Sequence, residues 1–213
     1  MEEFNFQQLF DEITEHLLND DTPSEYLNQL SKEPNFKEYP LNLLLKLKHT
    51  EQSKKHHPEG NVWNHTMLVV DEAAKVREKS KDAKAFMWAA LLHDIGKPDT
   101  TRMRKGRITA YEHDKVGAEI CDKFLREFTK EEEFIKKVCA LVKYHMHMLY
   151  ILKGLPFGNL KNLLKDVDIK EMALLSFCDR MGRTGADIDK EEVNYRRYLE
   201  ILEDAKDKAM QKI

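Results

Sequence analysis

Apolar residues recur at intervals of three and four along almost the entire chain, the spacing that gathers them on one face of a helix. The pattern predicts helices over residues 5–18, from Ser24 onward, after Pro40, and over 62–79, 81–95, 112–128, 130–146, 159–166 and 169–181. A last helix runs from Asp189 to the end of the chain. One segment breaks the rule. Residues 100–110 (TTRMRKGRITA) carry a strand-like pattern with Lys105-Gly106 placed to turn it, which predicts a small β-hairpin. The expected fold class is therefore all-α, a helical bundle with one hairpin near residues 100–110.

Two helices stand out by their patterns. Residues 83–92 (AKAFMWAALL) are apolar nearly all round, which predicts a helix buried in the core, and Gly96 and Pro98 are placed to end it. The last helix sets Tyr195, Tyr198, Leu199 and Leu202 on one side and charge on the other, so it is expected on the outside of the bundle. Trp63 and Trp88 are expected in the core, with stacking on a nucleobase as the alternative for Trp63.

Composition narrows the class. The chain has 213 residues, 34% of them charged, with 8 glycines and 6 prolines, which fits one sizeable core with added helices. No run of about 18 apolar residues marks a membrane span. The N-terminus, MEEFNFQQLFDE, lacks the basic-then-apolar order of a signal peptide, so a cytoplasmic protein without membrane association is expected. Cys121, Cys139 and Cys178 show neither CxxC spacing nor an even count, so buried thiols are expected. A net charge of −3 does not mark the whole chain as a nucleic-acid binder, although Arg102, Arg104, Lys105 and Arg107 form a local basic patch.

Directly after the apolar run come His93 and Asp94 (LLHDIGKP). A carboxylate at the inner edge of a core costs several kcal/mol unless a cation or a dense set of donors compensates it. Of nine histidines, four lie beside apolar runs: His65 (VWNHTMLVVD), His93, His113 (YEHDKVGAE) and His145 (LVKYHMHML). One such histidine would read as a core residue. Four, together with Asp94 and Asp179 (LLSFCDRMGR), offer imidazole and carboxylate ligands from separate helices, the way helical bundles build metal sites. His147 shares a turn with His145 and is its rival. His16, His49 and His56 carry no signal of their own.

The ordered set HHPEGNVWNHT, ALLHDIGKPDTT, HDKVGAE, KYHMH and FCDRMGRTG, spread over residues 55–185, resembles the HD-domain superfamily of metal-dependent phosphohydrolases. Within it the match is closest to the HD domain attached to bacterial CCA-adding tRNA nucleotidyltransferases. The resemblance implies an HD domain over 52–187, preceded by a helical extension (1–51) and followed by a helix packed on the bundle (188–213). It implies that His65, His93, Asp94 and Asp179 bind a first divalent ion (Mn, Fe, Ni, Co, Zn or Mg). His113 and His145 match positions that hold a second ion in two-metal members, with Asp94 bridging; the alternative is a single ion, with these two histidines on the substrate phosphate or on water. His57 and Glu59 recur in the family and either line the site or are exposed.

Such an ion lowers the pKa of its water and neutralises phosphoryl charge, as phosphoester hydrolysis requires. Asp94, Lys97, His113 and His145 are then the expected catalytic residues, with one of the two histidines protonating the leaving group. Lys97, Arg102, Arg104 and Arg107 are expected on substrate phosphate, and Arg180 and Arg183 on either a phosphate or a neighbouring carboxylate. The nucleotidyltransferase head, with its glycine-rich turn and paired acidic ligands, has no counterpart in these residues, nor do the GYP signature of cyclic-di-GMP phosphodiesterases or the insertions of dNTP triphosphohydrolases. Polymerase activity is therefore not expected. The expected function is hydrolysis of a nucleotide phosphomonoester or a cyclic phosphodiester. Its alternatives are a metal-containing module that grips a nucleotide or an RNA 3′ end without turnover, and a helical interaction protein with a dry His/Asp core.

Overall fold

The computed structural model describes residues 5–211. Three helices, α1 (Phe6–Asn19), α2 (Pro23–Leu30) and α3 (Asn42–Lys48), lead into α4 (Val62–Ala74) and α5 (Ala83–Leu92). A short helical turn, α6 (Lys97–Thr100), precedes the hairpin β1 (Thr101–Arg104) and β2 (Arg107–Ala110). Then come α7 (His113–Arg126), α8 (Glu132–Tyr144), α9 (His147–Leu152), α10 (Leu160–Asp166), α11 (Ile169–Met181) and α12 (Ile188–Met210). The mostly helical fold with one hairpin is as expected. Among the described residues no helix is long and apolar enough to cross a membrane.

Helix α5 is the centre of the bundle, packed against α1, α4, α8 and α11. Residues Ala85 through Leu92 are all buried, which explains why its sequence has no polar face. Trp88 is fully buried, stacks on Phe10 of α1 at 4.9 Å between ring centroids, and donates its indole N–H to Thr14 Oγ1 at 3.0 Å. Trp63 is likewise a core residue; its N–H bonds Asn28 Oδ1 at 2.8 Å, which leaves no face for a nucleobase. The helices α1 to α3 contribute Phe10, Ile13, Leu17, Leu27 and Leu44 to the same buried cluster. Tyr198 and Leu202 attach α12 to it as expected, while Tyr195 and Leu199 pack at its margin. The thiols of Cys121 and Cys178 are buried and that of Cys139 is half-buried; all three are free.

Several boundaries differ from the periodic pattern. Helix α4 stops at Ala74, followed by a 3₁₀ turn over Arg77–Lys79, because the Arg77 guanidinium reaches back to Asp20 O at the end of α1. Pro98 does not end α5 but occupies the first turn of α6, where a missing N–H is harmless. The pattern does not predict the continuation of α8 as α9 after Tyr144, because apolar periodicity persists across the break and nothing marks it. The hairpin has the expected register, Thr101 opposite Ala110 and Arg104 opposite Arg107. Lys105 (φ 50°) and Gly106 (φ 74°) both take positive φ, as a two-residue turn of this hand demands.

A candidate metal centre

Six side chains from five places in the chain converge at one buried site. His65 comes from the first turns of α4, His93 and Asp94 from the end of α5, His113 from the first residue of α7, His145 from the end of α8 and Asp179 from α11. All six are buried, His65 and His93 completely. Close approach of the backbones makes the convergence possible. A Cβ on Gly96 would lie 2.2 Å from His113 O and 2.5 Å from Gly117 N, so glycine at 96 lets α7 bring His113 against the His93-Asp94 turn.

The two oxygens of Asp94 divide the histidines between them. Oδ2 lies 3.2 Å from His93 Nε2 and 3.9 Å from His65 Nε2, whereas Oδ1 lies 3.4 Å from His113 Nε2 and 3.6 Å from His145 Nε2. Asp179 Oδ1 completes the first group, 2.9 Å from His65 Nε2. Two ligand sets lie around Asp94, namely His65, His93 and Asp179, and Asp94, His113 and His145, each with donor atoms within 4.8 Å of one another; a third such group, His57, Glu59 and His65, lies behind the His65 ring.

The tautomers follow from the outer partners of the rings. Nδ1 of His93, His113 and His145 each faces the carbonyl three residues upstream, Ala90 O at 2.8 Å, Ala110 O at 2.6 Å and Val142 O at 2.7 Å. A carbonyl only accepts, so each Nδ1 carries the proton and each Nε2 presents a lone pair inward. His65 Nδ1 is held the same way by Gly182 O at 3.2 Å and Glu59 Oε1 at 3.1 Å. His113 Nε2 and His145 Nε2 stand 3.2 Å apart. Asp94 Oδ2 meets the Lys97 ammonium at 2.6 Å, whereas Asp94 Oδ1 and His93 Nε2 have no hydrogen-bond donor of their own. Imidazole nitrogens and carboxylate oxygens packed this closely in a buried site form a donor set that divalent transition metals fit.

The proton affinities respond to the same field. Burial lowers the pKa of His65 and His145, but the carboxylates of Asp179 and Glu59 at the first and of Asp94 at the second outweigh it, and both are raised. Burial dominates at His113 and pushes it down to about 4. For Asp94, burial is overcome by the Lys97 ammonium and His93, and for Asp179 by Arg183 and His65, so both carboxyls lie well below the usual range. Both are carboxylates at neutral pH, as cation ligands must be.

The other expected site residues fall in varied places. Lys97 is buried at the first position of α6, its Nζ 2.6 Å from Asp94 Oδ2 and 2.5 Å from Gln52 Oε1. Arg183 reaches Asp179 Oδ2 at 3.6 Å, while Arg180 forks onto both oxygens of Glu191 on α12. Arg102, Arg104 and Arg107 are exposed on the hairpin, with Arg104 over the Tyr111 ring at 5.1 Å. His147 lies outside both ligand sets: its Nδ1 pairs with Tyr198 OH at 2.9 Å, which leaves His145 as the member of the pair that faces Asp94.

Sequence reasoning missed Gln52, which has no motif to mark it, and placed Glu59 only as a residue that lines the site. Glu59 bridges His57 Nδ1 at 2.9 Å and His65 Nδ1, and accepts from Thr184 N at 3.3 Å. These contacts orient the His65 ring from behind, so Glu59→Ala should weaken divalent-metal binding about 10- to 100-fold while the fold persists. Isothermal titration of Mn²⁺ into the stripped protein measures it; unchanged affinity would show that Gly182 O alone suffices.

Comparison with known proteins agrees with this geometry. The HD domain family matches residues 62–181. A multifunctional CCA protein of Pasteurella multocida is 30% identical over 156 residues, 68% of this chain and 35% of that protein. A CC-adding tRNA nucleotidyltransferase of Thermus thermophilus is 33% identical over 148 residues, 67% of this chain and 32% of its own length. A multifunctional CCA protein of Pseudomonas fluorescens is 31% identical over 142 residues, 63% and 33% respectively. The chain thus spans about a third of each of these relatives. With its buried histidines and aspartates in the positions just described, the chain belongs to the HD-domain family.

Proposed function

We propose that this protein is a divalent-metal-dependent phosphohydrolase acting on a nucleotide phosphomonoester or a cyclic phosphodiester. The observation that carries the proposal is the array of buried imidazole Nε2 atoms turned inward around Asp94, each ring anchored from behind through Nδ1. In it, His65, His93, Asp94 and Asp179 would hold one divalent ion, and Asp94, His113 and His145 would hold a second. The way Oδ2 faces His65 and His93 while Oδ1 faces His113 and His145 supports the bridging role of Asp94 over a single-ion site. When bound, such ions lower the pKa of water toward neutrality and offset charge on a phosphoryl group.

The chain's own residues supply the rest. Lys97, fixed by Gln52 and Asp94, places an ammonium beside the centre, where it stabilises the negative charge that grows on the phosphoryl oxygens. Arg183 is available to the same charge from the Asp179 side, whereas Arg180 is engaged by Glu191. Burial of all six ligands keeps bulk water away from the reacting phosphorus and strengthens each of these interactions.

The decisive experiment is a screen of the protein loaded with Mn²⁺, Fe²⁺, Ni²⁺, Co²⁺, Zn²⁺ or Mg²⁺ against cyclic nucleotides, nucleoside monophosphates and bis-p-nitrophenyl phosphate. Metal-dependent hydrolysis of at least one class is expected; its absence with every ion would reject the proposal. Lys97→Ala should lower turnover about 10- to 100-fold with metal content intact. Loss of the metal in that variant would make the lysine a prop for Asp94 instead.

A further inference from the structure

Beside the metal centre lies a cleft of about 1070 Å³ between the loop that follows α3 and the hairpin. Its electrostatics oppose those of the chain. The whole protein carries 35 basic and 38 acidic residues, yet the cleft is lined by Lys48, Lys54, Lys55 and Arg107 against the single carboxylate of Glu51. Lys54, Lys55 and Arg107 are exposed, and no side chain among the described residues pairs with them. On the hairpin wall stand two large apolar side chains open to solvent, Met103 (69% exposed) and Tyr111 (63%).

The loop wall has two sides. A bridge between Glu51 and Asn61, with Gln52 N bonded to Gly60 O at 3.2 Å, closes residues 51–61 into one unit. Its outer side presents Lys54 and Lys55 to the cleft, while its inner side presents His57 and Glu59 to His65. Gln52 joins the two: it lines the cleft, and its Oε1 accepts from Lys97, which in turn meets Asp94. Two side chains, Gln52 and Lys97, therefore link the cleft to the centre.

Unpaired cations on one wall, an exposed aromatic on the other and a volume far larger than one phosphate match a chain of phosphates with bases between them. We infer that this cleft binds single-stranded polynucleotide, with Lys54, Lys55 and Arg107 on successive phosphates and Tyr111 stacked on a base, and directs its end past Gln52 to Asp94. The direction of the bound strand rests on the phosphohydrolase reading; the binding itself does not.

The test is fluorescence anisotropy of the intact protein with a labelled oligouridylate of about twelve nucleotides and with its deoxy counterpart, across a salt series. The wild type should bind the oligomer far more tightly than uridine monophosphate. Lys54→Ala/Lys55→Ala/Arg107→Ala should weaken it by at least about tenfold and flatten the salt slope by about 2. Tyr111→Ala should cost about fivefold or more with the slope unchanged. Because all four positions are exposed, the variants should melt like the wild type. Hydrolysis of bis-p-nitrophenyl phosphate by the Lys54→Ala/Lys55→Ala variant should stay at the wild-type level; a loss there equal to the loss of oligomer binding would overturn the inference, since those residues would then belong to the reacting centre. Equal competition by polyglutamate of matched charge, or oligomer affinity no better than that of the monophosphate, would also overturn it. Binding without turnover on any ester would instead count against the phosphohydrolase reading and leave the cleft standing.

Discussion

Asp94→Ala should abolish divalent-metal binding and lower phosphoester hydrolysis by about a thousandfold or more. The size of the effect follows from geometry. Asp94 is the one side chain that faces His93 and His65 with one oxygen and His113 and His145 with the other, so its loss breaks both ligand sets at once. It also leaves the Lys97 ammonium, buried beside it, with Gln52 as its remaining partner, and an uncompensated buried charge costs about 3–5 kcal/mol. Metal content by atomic emission, turnover of bis-p-nitrophenyl phosphate and far-ultraviolet dichroism separate these effects. Asp94→Asn, with the same shape and one oxygen fewer, should retain the fold and lose the bridge. Metal-dependent turnover surviving in either variant would reject the assignment of the centre.

Gly96→Ala should destabilise the protein by about 3 kcal/mol or more and disturb the His113 side of the centre. A methyl group at this position would meet His113 O at 2.2 Å, Gly117 N at 2.5 Å and Gly117 Cα at 2.8 Å. All three are backbone atoms, so no rotamer change relieves the clash. Helix α7 must move away from the His93-Asp94 turn, and His113, its first residue, moves with it. Gly106→Ala provides the contrast: its φ of +74° is strained for alanine, but nothing lies within 4 Å, so the cost should be about 1 kcal/mol with the centre untouched. Urea denaturation and metal stoichiometry read both variants. A Gly96→Ala protein as stable and as metal-rich as the wild type would show that the α7 contact does not position His113.

Much of this arrangement is legible in the order of residues alone. The unbroken apolar run of 83–92 marks a central helix, and the polar pair at its end marks a buried charge that needs compensation. The hairpin is legible down to its turn, since Lys105-Gly106 is the one place in that segment suited to two positive φ values. Other features lie beyond reach for definite reasons. The break between α8 and α9 falls where apolar spacing continues. The engagement of Arg180 by Glu191 joins residues of separate helices, and a guanidinium beside an expected ligand looks the same in sequence whether it meets a phosphate or a carboxylate. Gln52 is uncharged and lies in a loop, yet it links the basic cleft to Lys97.

What the sequence determined by itself is the set of helices and the inventory of ligand-type side chains, because amphipathic spacing and the cost of burying His and Asp are local properties of the chain. What only the tertiary structure decided is the sorting of that inventory: two pairs of histidines, one facing each oxygen of Asp94, His145 in and His147 out, and Nδ1 turned outward to carbonyls so that Nε2 faces inward. The reason is physical. A ring nitrogen becomes a ligand or an ordinary hydrogen-bond donor according to which backbone carbonyl faces its other nitrogen and which lone pairs crowd it, and both depend on helices remote in sequence meeting at distances as short as the Gly96–Gly117 contact permits.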